Sequence, residues 1–134
     1  CQGWISSLVP MYIKKLYAED PLFEDVKVIY SVFDNSFPGV LSDSLAEKLL
    51  FEDLQDSDVC DIKTSNIVNL HKFAIDYADG VVQASSKINK KVLSHIHSSN
   101  KPFMEYPGED EYIEAYQNFY ANFIKEEEGV LIES

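Results

Sequence analysis

VKVIYSVFDNSFPG, residues 26–39, is the stretch that decides the fold. Val26, Val28, Ile29, Tyr30, Val32 and Phe33 fall on both parities of an extended chain, so both faces are apolar. That pattern belongs to a strand buried on both sides, as in a parallel sheet covered by helices. The run stops at Asp34-Asn35-Ser36, and Pro38-Gly39 follow, which reads as a polar loop. Helical periodicity flanks the run on either side. Together these features predict a central strand of a parallel α/β sheet. Ligands of such sheets bind outside the carboxyl ends of the strands, which places the functional edge at 33–39.

Upstream, Trp4, Ile5, Leu8, Val9, Tyr12, Ile13 and Leu16 recur in pairs every four residues, one broad helical face. Pro10 fits this helix only if the helix proper starts close before it. Glu19-Asp20-Pro21 ends the segment, since the residue before proline avoids the α region.

Downstream, Ser42 or Asp43 caps a short helix through Leu45, Leu49 and Leu50, and Asp53–Lys63 reads as a polar surface loop. Thr64, Ser65 or Asn66 caps a helix with Ile67, Leu70, His71, Ala74, Ile75 and Ala78 on one face, and Gly80 suits its C′ position. A short strand is expected at Gly80–Ala84. Ser85 or Ser86 then caps a helix with Ile88, Val92, Leu93 and Ile96 inward, followed by a brief extended piece at Phe103–Tyr106. The last helix is expected from about Asp110 to Lys125. Glu126-Glu127-Glu128 oppose the macrodipole there, which predicts a frayed end and a loose tail.

The chain has 134 residues, the size of one domain, and the sequence predicts a single α/β domain over 1–134. Two or three strands are few for a self-standing doubly wound domain. The opening Cys1-Gln2-Gly3-Trp4 leads directly into a helix, so the chain is expected to be a fragment whose preceding strand is missing.

The formal charge is −12, from 23 acidic residues against 11 basic ones, every one of them lysine. No basic stripe exists for nucleic acid, and arginine, the usual reader of phosphate and guanine, is absent. An anionic membrane surface is disfavoured for the same reason, and no apolar run approaches the ~18 residues of a membrane span. Two cysteines, Cys1 and Cys60, form no Cys-x-x-Cys pair and suit a reducing cytoplasm.

Most candidate chemistry resolves into structure. His95 and His97, two apart on a helix, point about 200° from each other, so they complement the helix dipole and do not form a metal pair. His71 lies on an apolar face and reads as a hydrogen-bonded core histidine. The runs at Glu109–Glu111 and Glu126–Glu128 read as solvated helix ends. The stripe Tyr112, Ile113, Tyr116, Phe119, Tyr120, Phe123 and Ile124 would suit sugar stacking in isolation, but helical spacing assigns it to core. No catalytic group, metal site or cofactor motif emerges. What remains is Asp34-Asn35-Ser36 after the buried strand, with Gln2 and Trp4 before the first helix. If a strand precedes Cys1, Gln2 and Asp34 face one crevice, where amide and carboxylate suit sugar hydroxyls. The plain alternative is that Asp34 and Asn35 form a turn.

At these residues the chain resembles the bacterial glycogen and plant starch synthases. These transfer glucose from ADP-glucose to an α-1,4-glucan and fold as two Rossmann-like domains around a cleft, the GT-B architecture. The family's His-x-His-Asp-Trp signature, leading into a helix, is echoed by Cys1-Gln2-Gly3-Trp4 and Ser7-Leu8-Val9-Pro10-Met11-Tyr12. Its strand ending Thr-Val-His-Asn-Leu-x-Tyr-x-Gly is echoed by Ser31-Val32-Phe33-Asp34-Asn35-Ser36-Phe37-Pro38-Gly39. Its Leu-Lys-x-Gly-Ile-x-Tyr-Ala-Asp segment, before a strand and Thr-Val-Ser, is echoed by residues 71–79 and Gln83-Ala84-Ser85.

The resemblance covers residues 1 to about 90. It implies a Rossmann-like parallel sheet with flanking helices, the second half of a GT-B N-terminal domain. The implied partners are an α-glucan or ADP-glucose. Gln2, Trp4, Asp34 and Asn35 are the substrate-binding candidates, with no catalytic residue assigned.

The departures set the expected activity. Phe33 stands at the family's histidine, Gln2 at the signature histidine and Gly3 at its aspartate. The donor-contacting lysine segment would lie upstream of residue 1, and the second domain has no counterpart here. Loss of one such group removes about 3 kcal/mol of transition-state stabilisation in comparable sites, so this chain alone is expected to be inactive. The alternative is a non-catalytic glucan-binding or regulatory relative. A part-domain also exposes apolar surface, which suggests a homodimer of the fragment.

Overall fold

A computed structural model of the chain describes residues 1–34, 48, 55, 57 and 66–133, with side chains through 125. Apart from Lys48, the expected helix through Leu45, Leu49 and Leu50 lies outside the described residues, as do Asn35 and most of the loop at 53–63.

Three strands, β1 (Ile29–Val32), β2 (Gly80–Gln83) and β3 (Phe103–Met104), form a parallel sheet in the order β1-β2-β3. Tyr30 lies opposite Val81, and Val82 lies opposite both Ser31 and Met104. On the other edge of β1, Gln2 makes a parallel bridge to Ser31. There the Ser31 N–H donates to the Cys1 carbonyl (2.9 Å) and the Gly3 N–H to the Ser31 carbonyl (3.0 Å). The strand is therefore paired along both edges, an interior position in the sheet.

β1 is shorter than the apolar run because Val28 spends its backbone on the entry to β2. The Val28 carbonyl accepts from the Asp79 and Gly80 N–H groups (2.7 and 3.3 Å), and its N–H donates to Asp79 Oδ2 (2.7 Å).

The first helical region is broken where Pro10 demands it. A 3₁₀ turn at Trp4–Ser6 precedes α1 (Val9–Met11), which holds Pro10 in its first turn and runs on as a π-helix over Tyr12–Leu16. Proline offers no N–H for an interior helical bond, so the helix starts around it. The periodic face still packs. Met11 is fully buried against Leu70 and Phe73, with Trp4, Leu8, Tyr12 and Leu16 around them.

Asn66 caps α2 (Ile67–Tyr77), its side chain accepting from the Asn69 N–H at 2.9 Å. At the other end Ala78 is the cap, and Gly80 is already in β2 rather than at the helix C′ position. The last carbonyls of α2 are instead taken by Lys101. Its Nζ donates to the carbonyls of Ile75, Asp76 and Ala78 at 2.6, 2.6 and 2.7 Å. A lysine delivered from the approach to β3 thus does what a C-cap glycine does elsewhere.

Asn89 caps α3 (Lys90–Ser98), accepting from the Lys91 N–H. Ser85 and Ser86, the expected caps, are engaged earlier: Ser85 Oγ accepts from the Asp34 N–H at 2.9 Å, and the Gln83 amide donates to the Ser85 carbonyl.

The last helix, α4, spans Tyr112–Glu133. It passes the expected stop at Lys125. With the hydrogen-bond ladder continuing, positions 126–128 lie before the last turn, where the macrodipole effect has fallen off.

The sheet has two differently made faces. Tyr30, Val32 and Val81 point into a core with Ala74, Ile75, Ala78, Val92 and Ile96 from α2 and α3. Alternation turns Ser31, Gly80 and Val82 to the opposite face. There α4 lies across the strands: Phe119 and Phe123 stand over Gly80, and the Tyr116 side chain shares a hydrogen bond with Ser31.

Candidate functional site

Both β1 and β2 run out at the same end of the sheet, at Phe33 and Ala84. A pocket of about 600 Å³ opens there. Phe33 and Ala84 form its floor and Gln2 one side, placed by the bridge to Ser31. The other wall comes from far along the chain: Tyr106 to Glu109, then Tyr112, Tyr116 and Tyr120 from α4. Gly108, at φ 95°, turns the backbone into that wall in a conformation that favours glycine.

The aromatic stripe of α4 is therefore divided. Phe119 and Phe123 carry no polar atom and pack on the sheet. Tyr112, Tyr116 and Tyr120, at i, i+4 and i+8, form an edge-to-face row with centroids 6.4 and 5.7 Å apart. Tyr112 and Tyr120 are 50% and 38% exposed, and Ile113 and Ile124 59% and 60%, so the assignment of the whole stripe to core is corrected for these four residues. Burial raises the Tyr116 and Tyr120 phenols above their ordinary value; the Ser31 hydrogen bond works against this at Tyr116, and the neighbouring Tyr116 adds to it at Tyr120. Both stay neutral and can donate. The sequence carries one signal for this: the hydroxyls of Tyr112, Tyr116 and Tyr120 need water or a polar partner, as the phenylalanine rings do not.

The structure separates the expected site residues. Gln2 is exposed and lines the pocket beside Phe33. Asp34 is exposed but faces a second, much smaller cavity of about 80 Å³, between Phe33 and His71. Its backbone is fixed by Ser85. Trp4 packs on the Met11 cluster and anchors the turn that presents Gln2. Asn35 lies outside the described residues.

Gly3, between Gln2 and Trp4, has φ 68° and ψ 176°. That region is open essentially to glycine alone. The residue resembling the signature aspartate is thus held in a backbone conformation that an aspartate resists.

His71 is the buried core histidine the helical pattern suggested. Its Nδ1 and the Tyr30 hydroxyl are 2.8 Å apart, and burial pushes its pKa down to about 4. His95 bridges to Asp76 at 2.6 Å, while His97 stands edge-on to Phe103, so the two rings serve different neighbours. Among the described residues no three His, Cys, Asp or Glu side chains gather to hold a metal, and no helix is long and apolar enough to cross a membrane.

The pocket's chemistry follows from its lining. Aromatic faces dominate it. Its polar side chains among the described residues are the Gln2 and Gln117 amides, the tyrosine hydroxyls and the Glu109 carboxylate, with no lysine or histidine. Such a site suits a neutral ligand with apolar faces and hydroxyl edges.

Comparison with known proteins reaches the same region. A family model described as "Starch synthase catalytic domain" matches residues 1–102. A glycogen synthase of Koribacter versatilis is 30% identical over 88 residues, 65% of this chain and 18% of the relative. A glycogen synthase of Pelodictyon phaeoclathratiforme is 25% identical over 95 residues, 71% of this chain and 19% of the relative. "Glycogen synthase 2" of Geobacter metallireducens is 32% identical over 95 residues, 70% of this chain and 19% of the relative. The chain thus spans about a fifth of the length of the curated relatives it matches. No solved structure gives a significant match.

Proposed function

The chain belongs to the starch synthase catalytic-domain family, and on that premise we propose that it is the acceptor-side part of a glycogen- or starch-synthase-like glycosyltransferase, binding α-glucan without transferring glucose by itself. In this reading it corresponds to the second half of a GT-B N-terminal domain. ADP-glucose is the donor of the complete reaction, in a cytoplasmic setting. Gln2 and Asp34, with Asn35, offer amide and carboxylate partners to sugar hydroxyls, and Trp4 holds the turn that carries Gln2.

Phe33 carries this reading. It occupies the position resembling the family's active-site histidine and lines the pocket at the strand ends. A phenyl ring packs against a sugar face but neither donates nor accepts a proton, so the edge keeps a binding surface and lacks the group for chemistry. The glycine-only backbone at Gly3 supports the same conclusion, because the signature aspartate has no relaxed place there.

The same Phe33 favours a second form of the reading, a non-catalytic glucan-binding or regulatory relative. One experiment bears on both. The protein is tested for retention by glycogen in affinity electrophoresis and for glucose incorporation from ADP-glucose into glycogen. Retention without incorporation is expected. Incorporation that Phe33→Ala or Asp34→Ala abolishes would reject a non-catalytic role.

A further inference from the structure

The pocket wall formed by residues 106–120 lies beyond the stretch that matches the family, residues 1–102. Its residues are therefore not assigned by the comparison, and what they do must be read from their own geometry. Tyr112 and Tyr120 are large rings left half exposed on a helix that already has two phenylalanines to dock it. Docking does not need them. They flank Tyr116 in a row that faces Gln2 and Phe33 across the pocket.

Charge decides between the two ligand classes of the family. A sugar nucleotide brings a diphosphate, and phosphate is held by lysine, arginine or a ring of backbone N–H groups. Among the described residues the lining offers no cationic side chain, and it carries the Glu109 carboxylate, which repels an anion. A chain of glucose units is neutral. Its pyranose faces are apolar and its edges carry hydroxyls, which match tyrosine rings flanked by amides. The volume, about 600 Å³, is in the range of ligand-sized sites and exceeds what a single water cluster requires.

We infer that α4 is a ligand wall as well as a cover, and that the pocket between α4 and the strand ends binds a neutral α-glucan segment, with Tyr112 and Tyr120 as stacking residues and Gln2 and Gln117 as hydrogen-bonding partners. This rests on the glucan-binding reading and assigns its site to residues outside the family match. Phe33 forms the floor on which the segment lies, and the ADP-glucose donor does not bind in this pocket.

The test is calorimetric titration of the protein and its variants with maltoheptaose and, separately, with ADP-glucose. Wild type is expected to bind maltoheptaose. Tyr112→Ala and Tyr120→Ala should each weaken it about five- to tenfold, the effect of removing one aromatic face, while Tyr112→Phe keeps the face and most of the affinity. Excess ADP-glucose should leave maltoheptaose binding unchanged. Far-UV circular dichroism and the thermal midpoint check that α4 stays docked.

If wild type binds maltoheptaose and the folded Tyr112→Ala/Tyr120→Ala double variant binds it equally well, this site is wrong and the glucan-binding reading stands. If wild type binds no maltoheptaose, both fall. Competition by ADP-glucose that depends on Tyr112 or Tyr120 would overturn the ligand class.

Discussion

Phe123 closes over Gly80 so tightly that a Cβ built on the glycine would stand 2.5 Å from the ring's Cζ and 3.2 Å from its Cε2. The glycine is needed here for space, since its backbone is that of an ordinary strand. Gly80→Ala should therefore destabilise the protein by about 1–3 kcal/mol, the usual effect of overpacking. In a double-mutant cycle by urea denaturation, the cost of Gly80→Ala should shrink in a Phe123→Ala background, with a coupling of at least ~0.5 kcal/mol. Additivity of the two would show that α4 does not dock there.

Gly3 makes a different demand, on conformation. Gly3→Asp would reinstate the signature residue, yet it should cost about 1–3 kcal/mol because φ 68° with ψ 176° is open essentially to glycine alone. The fall in the denaturation midpoint measures it. No glucose incorporation from ADP-glucose should accompany the change. A Gly3→Asp protein as stable as wild type would show that the turn re-forms with another backbone.

Lys101 joins β3's approach to the end of α2 through three carbonyls. Replacing it with methionine keeps most of the stem and leaves those oxygens to water. A loss of about 1–3 kcal/mol in denaturation is expected, typical of hydrogen bonds made by a charged donor. Hydrogen exchange should quicken first in the last turn of α2.

His71 gives the stability a pH dependence. Burial lowers its folded pKa from 6.5 to about 4, so folding favours the neutral ring. Its contribution is complete above pH 6.5 and is lost as pH falls toward 4, where the unfolded chain binds the extra proton. Stability should drop by about 3 kcal/mol across that window. His71→Phe should flatten the slope of denaturation midpoint against pH while lowering the midpoint at neutral pH, because the Tyr30 hydroxyl loses its partner.

Two aspartates at neighbouring positions should behave unequally. Asp79 accepts from the Val28 N–H and pairs with Lys14, both at 2.7 Å, and so fixes the start of β1 to α1 and β2. Asp76 pairs with the His95 ring through its side chain, at a more exposed position. Asp79→Ala should cost about 1–3 kcal/mol, and Asp76→Ala less than ~1 kcal/mol. Paired urea titrations of the two variants settle the order.

These outcomes separate what the sequence discloses from what it does not. β1 was legible because a run apolar on both parities has few other homes, and α2 because Asn66 and the face through Leu70, Ala74 and Ile75 agree. Gln2 was legible as a pocket residue through its place beside the β1 edge. Periodicity also grouped the rings of α4 correctly. It could not say what lies opposite them, and that is why Tyr112 and Tyr120 were assigned to core. A helical period reports which residues share a face and nothing about the distance to the next element. The caps at Asn89 and Lys101 were missed for a related reason: Ser85 was already bonded to a strand end 51 residues earlier, and Lys101 reaches an element more than 20 residues before it.

The two faces of the sheet also differ in when they can close. Among the described residues, those packed beneath Tyr30, Val32 and Val81 lie within 68–103, so that side can condense before α4 is made. Among the described residues, the side bearing Ser31, Gly80 and Val82 meets Tyr116, Phe119 and Phe123, which are made later. During synthesis, the cover that α4 gives to this side is therefore the last of the described contacts to form. The pocket comes into being only at that last step. A ligand that fills it would latch the late-arriving helix in place and stabilise the whole molecule by mass action.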